Sequence, residues 1–159
     1  VAEYNIFVDM EPTKNLTELA RDLWREMAEM RNSLRQYVHV KIKENNWDIS
    51  MELVEILGLV YRRGGLNQQE IADIIVKDKS SMTYLIDNLV KKGLAERTED
   101  QRDRRNKLIY ITEKGKLLME KLNPWVTEMY EKATRELQTK DVLNALSVAR
   151  KMNENLKQL

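Results

Sequence analysis

The sequence predicts a mostly α-helical fold carrying one small β-hairpin (an α+β chain), with helices at both ends forming a dimerisation region. Three observations carry that reading. Two short helical segments with strong start signals follow one another across a tight turn at 67–93. A strand pattern, a charged loop and a second strand pattern come directly after them at 94–112. Long amphipathic stretches lie on either side. A helix pair followed at once by a hairpin is a winged helix-turn-helix, the hairpin being its wing. The composition agrees: 33% of the residues are charged, and two prolines and five glycines leave few breaks in helices.

Residues 1–12 lack periodicity and end at Pro12, so they read as an arm. A helix follows from Asn15 to about Asn45. Leu16, Ala20, Leu23, Met27, Met30, Leu34 and Tyr37 recur at alternating spacings of four and three, a heptad-like stripe, and Leu19, Val38 and Ile42 widen it. So long a helix has more apolar surface than one small domain covers, which points to a subunit interface; a core helix of a monomer is the competing reading. "NNWDIS" interrupts the pattern. Ser50 is a good N-cap and Glu52 suits a first turn, giving a helix from Met51 to about Arg62 that Gly64 and Gly65 end.

In "LNQQEI", Asn67 is the N-cap, Glu70 completes a capping box, and Leu66 and Ile71 form a hydrophobic staple. That helix runs to about Val76. Asp78 caps the next, which Gly93 ends. Met82, Leu85, Ile86, Leu89 and Val90 make its buried stripe, and Lys79, Ser80, Ser81, Thr83, Tyr84, Asp87, Asn88 and Lys91 its polar face. The second helix of a helix-turn-helix enters the DNA major groove and reads base edges from its N-terminal residues. Ordinary bundles also use tight turns, so the wing has to decide.

"LAERT" and "KLIYIT" are strand-like, and between them runs "TEDQRDRRNK", with Arg102, Arg104 and Arg105 beside Glu99, Asp100 and Asp103. In isolation such a run is a solvated loop. At the tip of a wing it presents arginine to the minor groove, where narrow A·T-rich tracts favour it. Asp100 and Asp103 are expected to pair with arginines at the loop base. Thr112 caps a helix from about Glu113, and Pro124 is expected to kink or restart it. The pattern resumes through "WVTEMYEKATREL", stops near Thr139 and restarts at Asp141 with the stripe Val142, Leu143, Leu146, Ala149, Met152 and Leu156. The expected division is 1–48 for the arm and dimerisation helix, 49–120 for the winged domain, and 121–159 for C-terminal dimerisation helices.

Charge is unevenly spread. Residues 1–60 hold 7 basic and 11 acidic side chains, whereas 61–121 hold 14 basic and 10 acidic, so the cationic part coincides with the winged domain. The absence of cysteine excludes disulfides, thiolate metal sites and thiol redox sensing. No apolar run approaches the ~20 residues that a membrane span needs, and no signal peptide is visible, so a cytoplasmic protein without a membrane partner is expected. The lone His39, with Glu44 and Asp48 downstream, is too little for a metal site. No catalytic constellation or cofactor motif stands out.

Over roughly residues 14–157 the sequence resembles the MarR family of bacterial transcription regulators. The resemblance is most specific in "LNQQEIADIIVKDKSSMTYLIDNLVKKGLAERTEDQRDRRNKLIYITEKG", which has the family's two glutamines at the helix start, its Ser/Thr-rich recognition helix, its "KKGL-ER" transition, its D-x-R-D-x-R wing and its closing Thr-Glu-Lys-Gly. The resemblance implies that Arg104 is the wing-tip arginine of the minor groove, with Asp103 and Arg105 shaping the wing. It implies DNA contacts from the polar start of the recognition helix at Ser80, Ser81 and Thr83, and from Gln68 and Gln69 near the DNA backbone. Lys79, Tyr84, Asn88 and Arg102 complete the expected DNA-binding set. Two positions depart from the pattern: Tyr84 stands where arginine is frequent, and Val76 and Lys77 stand where a glycine and an apolar residue are frequent. Lys77 is expected to be solvated or to touch the backbone.

The family is homodimeric, and many members release DNA on binding a small aromatic acid or hydrophobic compound. Trp24, Met27, Tyr37, Trp47 and Tyr61 are the candidates to line such an effector pocket; packing in the core or interface is the more economical reading of each. The expected function is therefore a sequence-specific, ligand-responsive repressor binding a palindromic operator as a homodimer. A winged-helix protein-interaction module without DNA binding is the alternative, and a small-molecule enzyme a third reading that lacks a catalytic group.

Overall fold

A computed structural model describes residues 14–101, 103 and 106–158. The expected arm at 1–12 lies outside them, as do Arg102, Arg104 and Arg105. Six helices and three strands make up the described chain: α1 (Leu16–Glu44), α2 (Met51–Arg63), β1 (Leu66–Asn67), α3 (Gln68–Ile75), α4 (Lys79–Lys91), β2 (Ala95–Glu99), β3 (Lys107–Ile111), α5 (Glu113–Ala133) and α6 (Thr139–Leu156). The four predicted caps, Ser50, Asn67, Asp78 and Thr112, are present where a short polar side chain meets orphan amides, and Asn15 adds a fifth that was not expected. Asn15 accepts from Thr17 and Glu18, Ser50 from Leu53, Asn67 from Glu70, Asp78 from Ser81 and Thr112 from Gly115.

The sheet is antiparallel in the order β1-β3-β2, with Leu66 and Arg97 both opposite Ile109. Its third strand was not expected. Two residues are too few to show alternation, and Leu66 was accounted for as half of a staple. Two apolar clusters hold the molecule together. Leu57, Val60, Ile71, Met82, Ile86, Leu89 and Ile109 fill the winged domain, and Val38, Ile42, Val54, Leu122 and Met129 join α1, α2 and α5. Helix α2 serves both clusters with opposite faces, and Ile49 and Met119 pack on both. Gly115 makes the approach of α5 to the winged domain possible: a Cβ there would lie 2.2 Å from the Leu94 carbonyl oxygen.

The C-terminal half departs from expectation. Pro124 neither breaks nor restarts α5, which runs through it to Ala133. Leu122, Trp125, Val126 and Met129 pack on the α1–α2 cluster from both sides of the proline and outweigh the one hydrogen bond it removes. Helix α5 then ends well before Thr139, in a turn where Leu137 N–H reaches the Thr134 carbonyl and Glu136 is left-handed at φ 70°. Helix α6 begins at Thr139 rather than Asp141, because the Asp141 carboxylate accepts from the Gln138 N–H and so lies inside the first turn. No residue of α6 is buried, and Leu16, Leu23 and Met30 of α1 are exposed, so these apolar faces lie open on the single chain. No helix of the described residues is long and apolar enough to cross a membrane.

Candidate nucleic-acid interface

The site grows from the turn between α3 and α4. Asn67 and Glu70 start α3 with a reciprocal capping box at 2.9 and 2.7 Å. The helix ends on Val76, left-handed at φ 57°, ψ 56° and 88% exposed. A β-branched residue pays steric strain there that glycine avoids. Lys77 turns back toward α2: its ammonium pairs with the Glu52 carboxylate, and its N–H donates to the Ala72 carbonyl at 3.0 Å. The expectation of a solvated lysine is thus corrected by an ion pair between residues far apart in the chain.

Asp78 then organises the front of α4. Its carboxylate accepts from the Ser80 hydroxyl at 2.6 Å and the Ser81 N–H at 2.9 Å. These donors hold it well below the usual carboxylate range, the Ser80 hydroxyl being the largest cause. The Thr83 hydroxyl donates to the Lys79 carbonyl at 2.8 Å and accepts from Gln68 Nε2 at 2.5 Å, linking the first residue of α3 to α4. Gln69 is occupied within its own helix by Asp73 at 2.8 Å. Lys79 and Ser80 are exposed, Tyr84 is 70% exposed, and Ser81 and Asn88 are half-buried. Lys79, Ser80, Thr83 and Tyr84 are therefore exposed together at the N-terminal end of α4, with Gln68 bonded to Thr83, whereas Ser81 turns partly inward and Asn88 lies near the other end of the helix.

Beyond α4, the wing is closed by backbone and by Asn106. Asp100 N–H donates to the Asn106 carbonyl at 3.1 Å, and Asn106 N–H to the Asp103 carbonyl at 2.9 Å. Asn106 Nδ2 also reaches the Asp103 carboxylate at 3.3 Å. The expected part of Arg105 in shaping the wing, and the groove contacts of Arg102 and Arg104, fall outside the described residues. Sequence reasoning missed Asn106, and it missed Arg97 on β2, which pairs with Asp87 on the polar face of α4 at 2.5 Å. Opposite charge was the available signal, but no periodicity relates a helix position to a strand position.

The five aromatic and Met candidates for an effector pocket do not converge in the single chain. Trp47 stacks at 4.7 Å on Trp125 and lines a 580 Å³ cleft between α1 and the start of α2, together with Arg35, His39, Lys43 and Met51. Tyr37 packs in the α1–α5 cluster between Lys41 and Lys132, and burial, then Glu128, pushes its hydroxyl up. Trp24 lines a separate recess against Met152 and Leu156 of α6, Tyr61 is exposed at the end of α2, and Met27 is half-buried on α1. The apolar stripe could not say which aromatic faces which neighbour.

Residues 49–107 match the model of the MarR family. The chain is 28% identical over 107 residues to the HTH-type transcriptional regulator YkoM of Bacillus subtilis, covering 67% of this chain and 68% of that one. It is 25% identical over 143 residues to the HTH-type transcriptional regulator MhqR of the same organism, covering 90% and 97%. Among solved structures it is similar to a mutant MarR from E. coli complexed with operator DNA, with TM-score 0.69 and 19% identity over 87% of this chain and 99% of that one. That likeness is one of fold.

Proposed function

We propose that this chain, whose residues 49–107 match the model of the MarR family, is a ligand-responsive repressor that reads a palindromic DNA operator as a homodimer. The observation that carries the proposal is the front of α4, where Lys79, Ser80, Thr83 and Tyr84 stand polar and accessible on a helix fixed by the Asp78 cap and the Gln68 bond. A helix presented in this way fits a major groove, with the Lys79 ammonium and the Tyr84 hydroxyl as donors and the Ser80 and Thr83 oxygens, whose protons are already engaged, as acceptors. In this reading Gln69 and Asn88 flank the contact, Arg102 and Arg104 of the wing reach the adjacent minor groove, and Asp100, Asp103 and Arg105 hold the wing in shape.

The open apolar faces of α1 and α6 support a two-fold dimer, and a two-fold dimer reads half-sites about one helical turn apart. The cleft beside Trp47 supports an effector site for a small aromatic or hydrophobic compound. The test starts from an operator selected out of random duplex by the protein itself, titrated at several salt concentrations. Arg104→Ala is expected to weaken binding and lower the salt slope by about one. An asymmetric single half-site at saturation, or an unchanged slope in Arg104→Ala, overturns the reading.

A further inference from the structure

The side chains at the front of α4 have distinct capacities. The exposed Lys79 ammonium can only donate. The Ser80 hydroxyl donates to Asp78 at 2.6 Å and the Thr83 hydroxyl to the Lys79 carbonyl at 2.8 Å, so both oxygens are left as acceptors. The carboxylates nearby are engaged, Asp78 in capping the helix and Asp87 with Arg97 on β2. Tyr84 fits none of these roles. It is 70% exposed, more than Tyr61, Tyr110 or Tyr130. Among the described residues it forms no hydrogen bond, ring stack or cation–π contact.

Packing within the chain does not account for this ring. The next two residues, Leu85 and Ile86, are buried in the winged-domain core, whereas Tyr84 faces solvent. On a helix a residue shares its face with those three and four positions away, which here are Ser80, Ser81, Asp87 and Asn88. Long helical side chains lean toward the N-terminus, so the ring covers the turn that holds Ser80 rather than the one that holds Asn88. An aromatic ring left in water there gains by burial against whatever α4 docks on. The major groove displays hydrogen-bonding groups and one methyl, the C5-methyl of thymine. Lys79, Ser80 and Thr83 suit the hydrogen-bonding groups, and Tyr84 brings the large apolar surface.

We propose that Tyr84 is a specificity-determining residue of α4, its ring packing on the C5-methyl of one thymine in each half-site. The inference rests on the DNA-binding reading and names a base feature that α4 selects. The contact is made by ring carbons, which leaves the hydroxyl free to donate elsewhere.

Deoxyuridine lacks that methyl and keeps the base pairing of thymidine, so it isolates the contact. In the operator that the protein selects from random duplex, each thymine is replaced in turn by deoxyuridine in both half-sites, and binding is followed by fluorescence anisotropy. One thymine position per half-site should respond, with binding weaker by about fourfold for each methyl removed. Tyr84→Ala should bind the operator more weakly and lose the distinction between thymine and uracil at that position. So exposed a residue can be truncated without opening the core, and circular dichroism should confirm an unchanged fold. Tyr84→Phe should keep the thymine-to-uracil ratio, because the ring remains. Absence of any responsive thymine, a ratio that survives Tyr84→Ala, or a ratio abolished by Tyr84→Phe would each overturn the proposal and leave DNA binding standing. Failure to select any duplex overturns the DNA-binding reading and the proposal together.

Discussion

Gln68 Nε2 donates to Thr83 Oγ1 at 2.5 Å, and the Thr83 hydroxyl donates in turn to the Lys79 carbonyl at 2.8 Å. A threonine hydroxyl has one proton and two lone pairs, so the helix backbone and Gln68 already use the proton and one of the pairs. The two residues tie the start of α3 to α4 at the surface proposed to face DNA. Acting as one latch, they should fail as one. Gln68→Ala and Thr83→Val are each expected to weaken operator binding by about 1 kcal/mol, and the double variant by little more than either. Fluorescence anisotropy gives the cycle. Fully additive losses would mean that each residue meets DNA independently.

Val76 tests the turn behind that latch. Its left-handed conformation at φ 57° is strained for a β-branched side chain, and at 88% exposure it has almost no burial to lose. Relief of that strain is worth about 1–2 kcal/mol, and the greater freedom of glycine in the unfolded chain takes back about 0.5–1. Val76→Gly is therefore expected to stabilise the protein by roughly 0.5–1 kcal/mol in urea unfolding, with an unchanged m-value. A lower midpoint would show that the valine makes a contact that outweighs its strain.

These two cases mark the limit of what the sequence discloses. Caps at Ser50, Asn67, Asp78 and Thr112 act over two or three residues, so the letters alone reveal them. The buried stripe of α4 is legible in the same way, and with it the opposite face on which Lys79, Thr83 and Tyr84 stand. Asp87 with Arg97, Asp48 with Lys92, and Glu52 with Lys77 are brought together by tertiary packing, and nothing local announces them. Leu66 and Asn67 pair with β3 for the same reason. Continuation of α5 through Pro124 is a case where packing overrode a local signal that pointed the other way.

The open faces of α1 and α6 carry the next prediction. Leu23 is 38% and Leu143 59% exposed, and neither belongs to a core cluster. Leu23→Glu and Leu143→Glu should each leave the chain folded and split the proposed dimer, since placing a charge in an apolar seam costs several kcal/mol. Light scattering should report monomers with helical circular dichroism retained. Leu34→Glu is a poorer probe, because Leu34 also packs on the α1–α5 cluster within one chain. Dimers that persist in both surface variants would move the interface elsewhere.

Asp78 gives the pH dependence. Its folded-state carboxyl is depressed, chiefly by the Ser80 hydroxyl and then by the Ser81 amide, below a reference value of 3.8. A depressed acid stabilises the fold fully above its unfolded value, and that contribution is lost as the pH falls toward the folded one. Asp78→Ala should therefore melt below the wild type at pH 7, and the gap should shrink as the pH falls below about 4. Asp78→Asn keeps an acceptor for the Ser81 amide but loses the charge that favours a helix N-terminus, so it should lie between the two at neutral pH. It also removes a negative charge from the end of α4 proposed to face phosphate, and operator binding should tighten modestly, more so at low salt. Thermal melts of the three proteins from pH 7 to pH 3 decide the first claim. A gap between Asp78→Ala and wild type that stays constant across that range would show that the carboxylate caps α4 without its charge being felt.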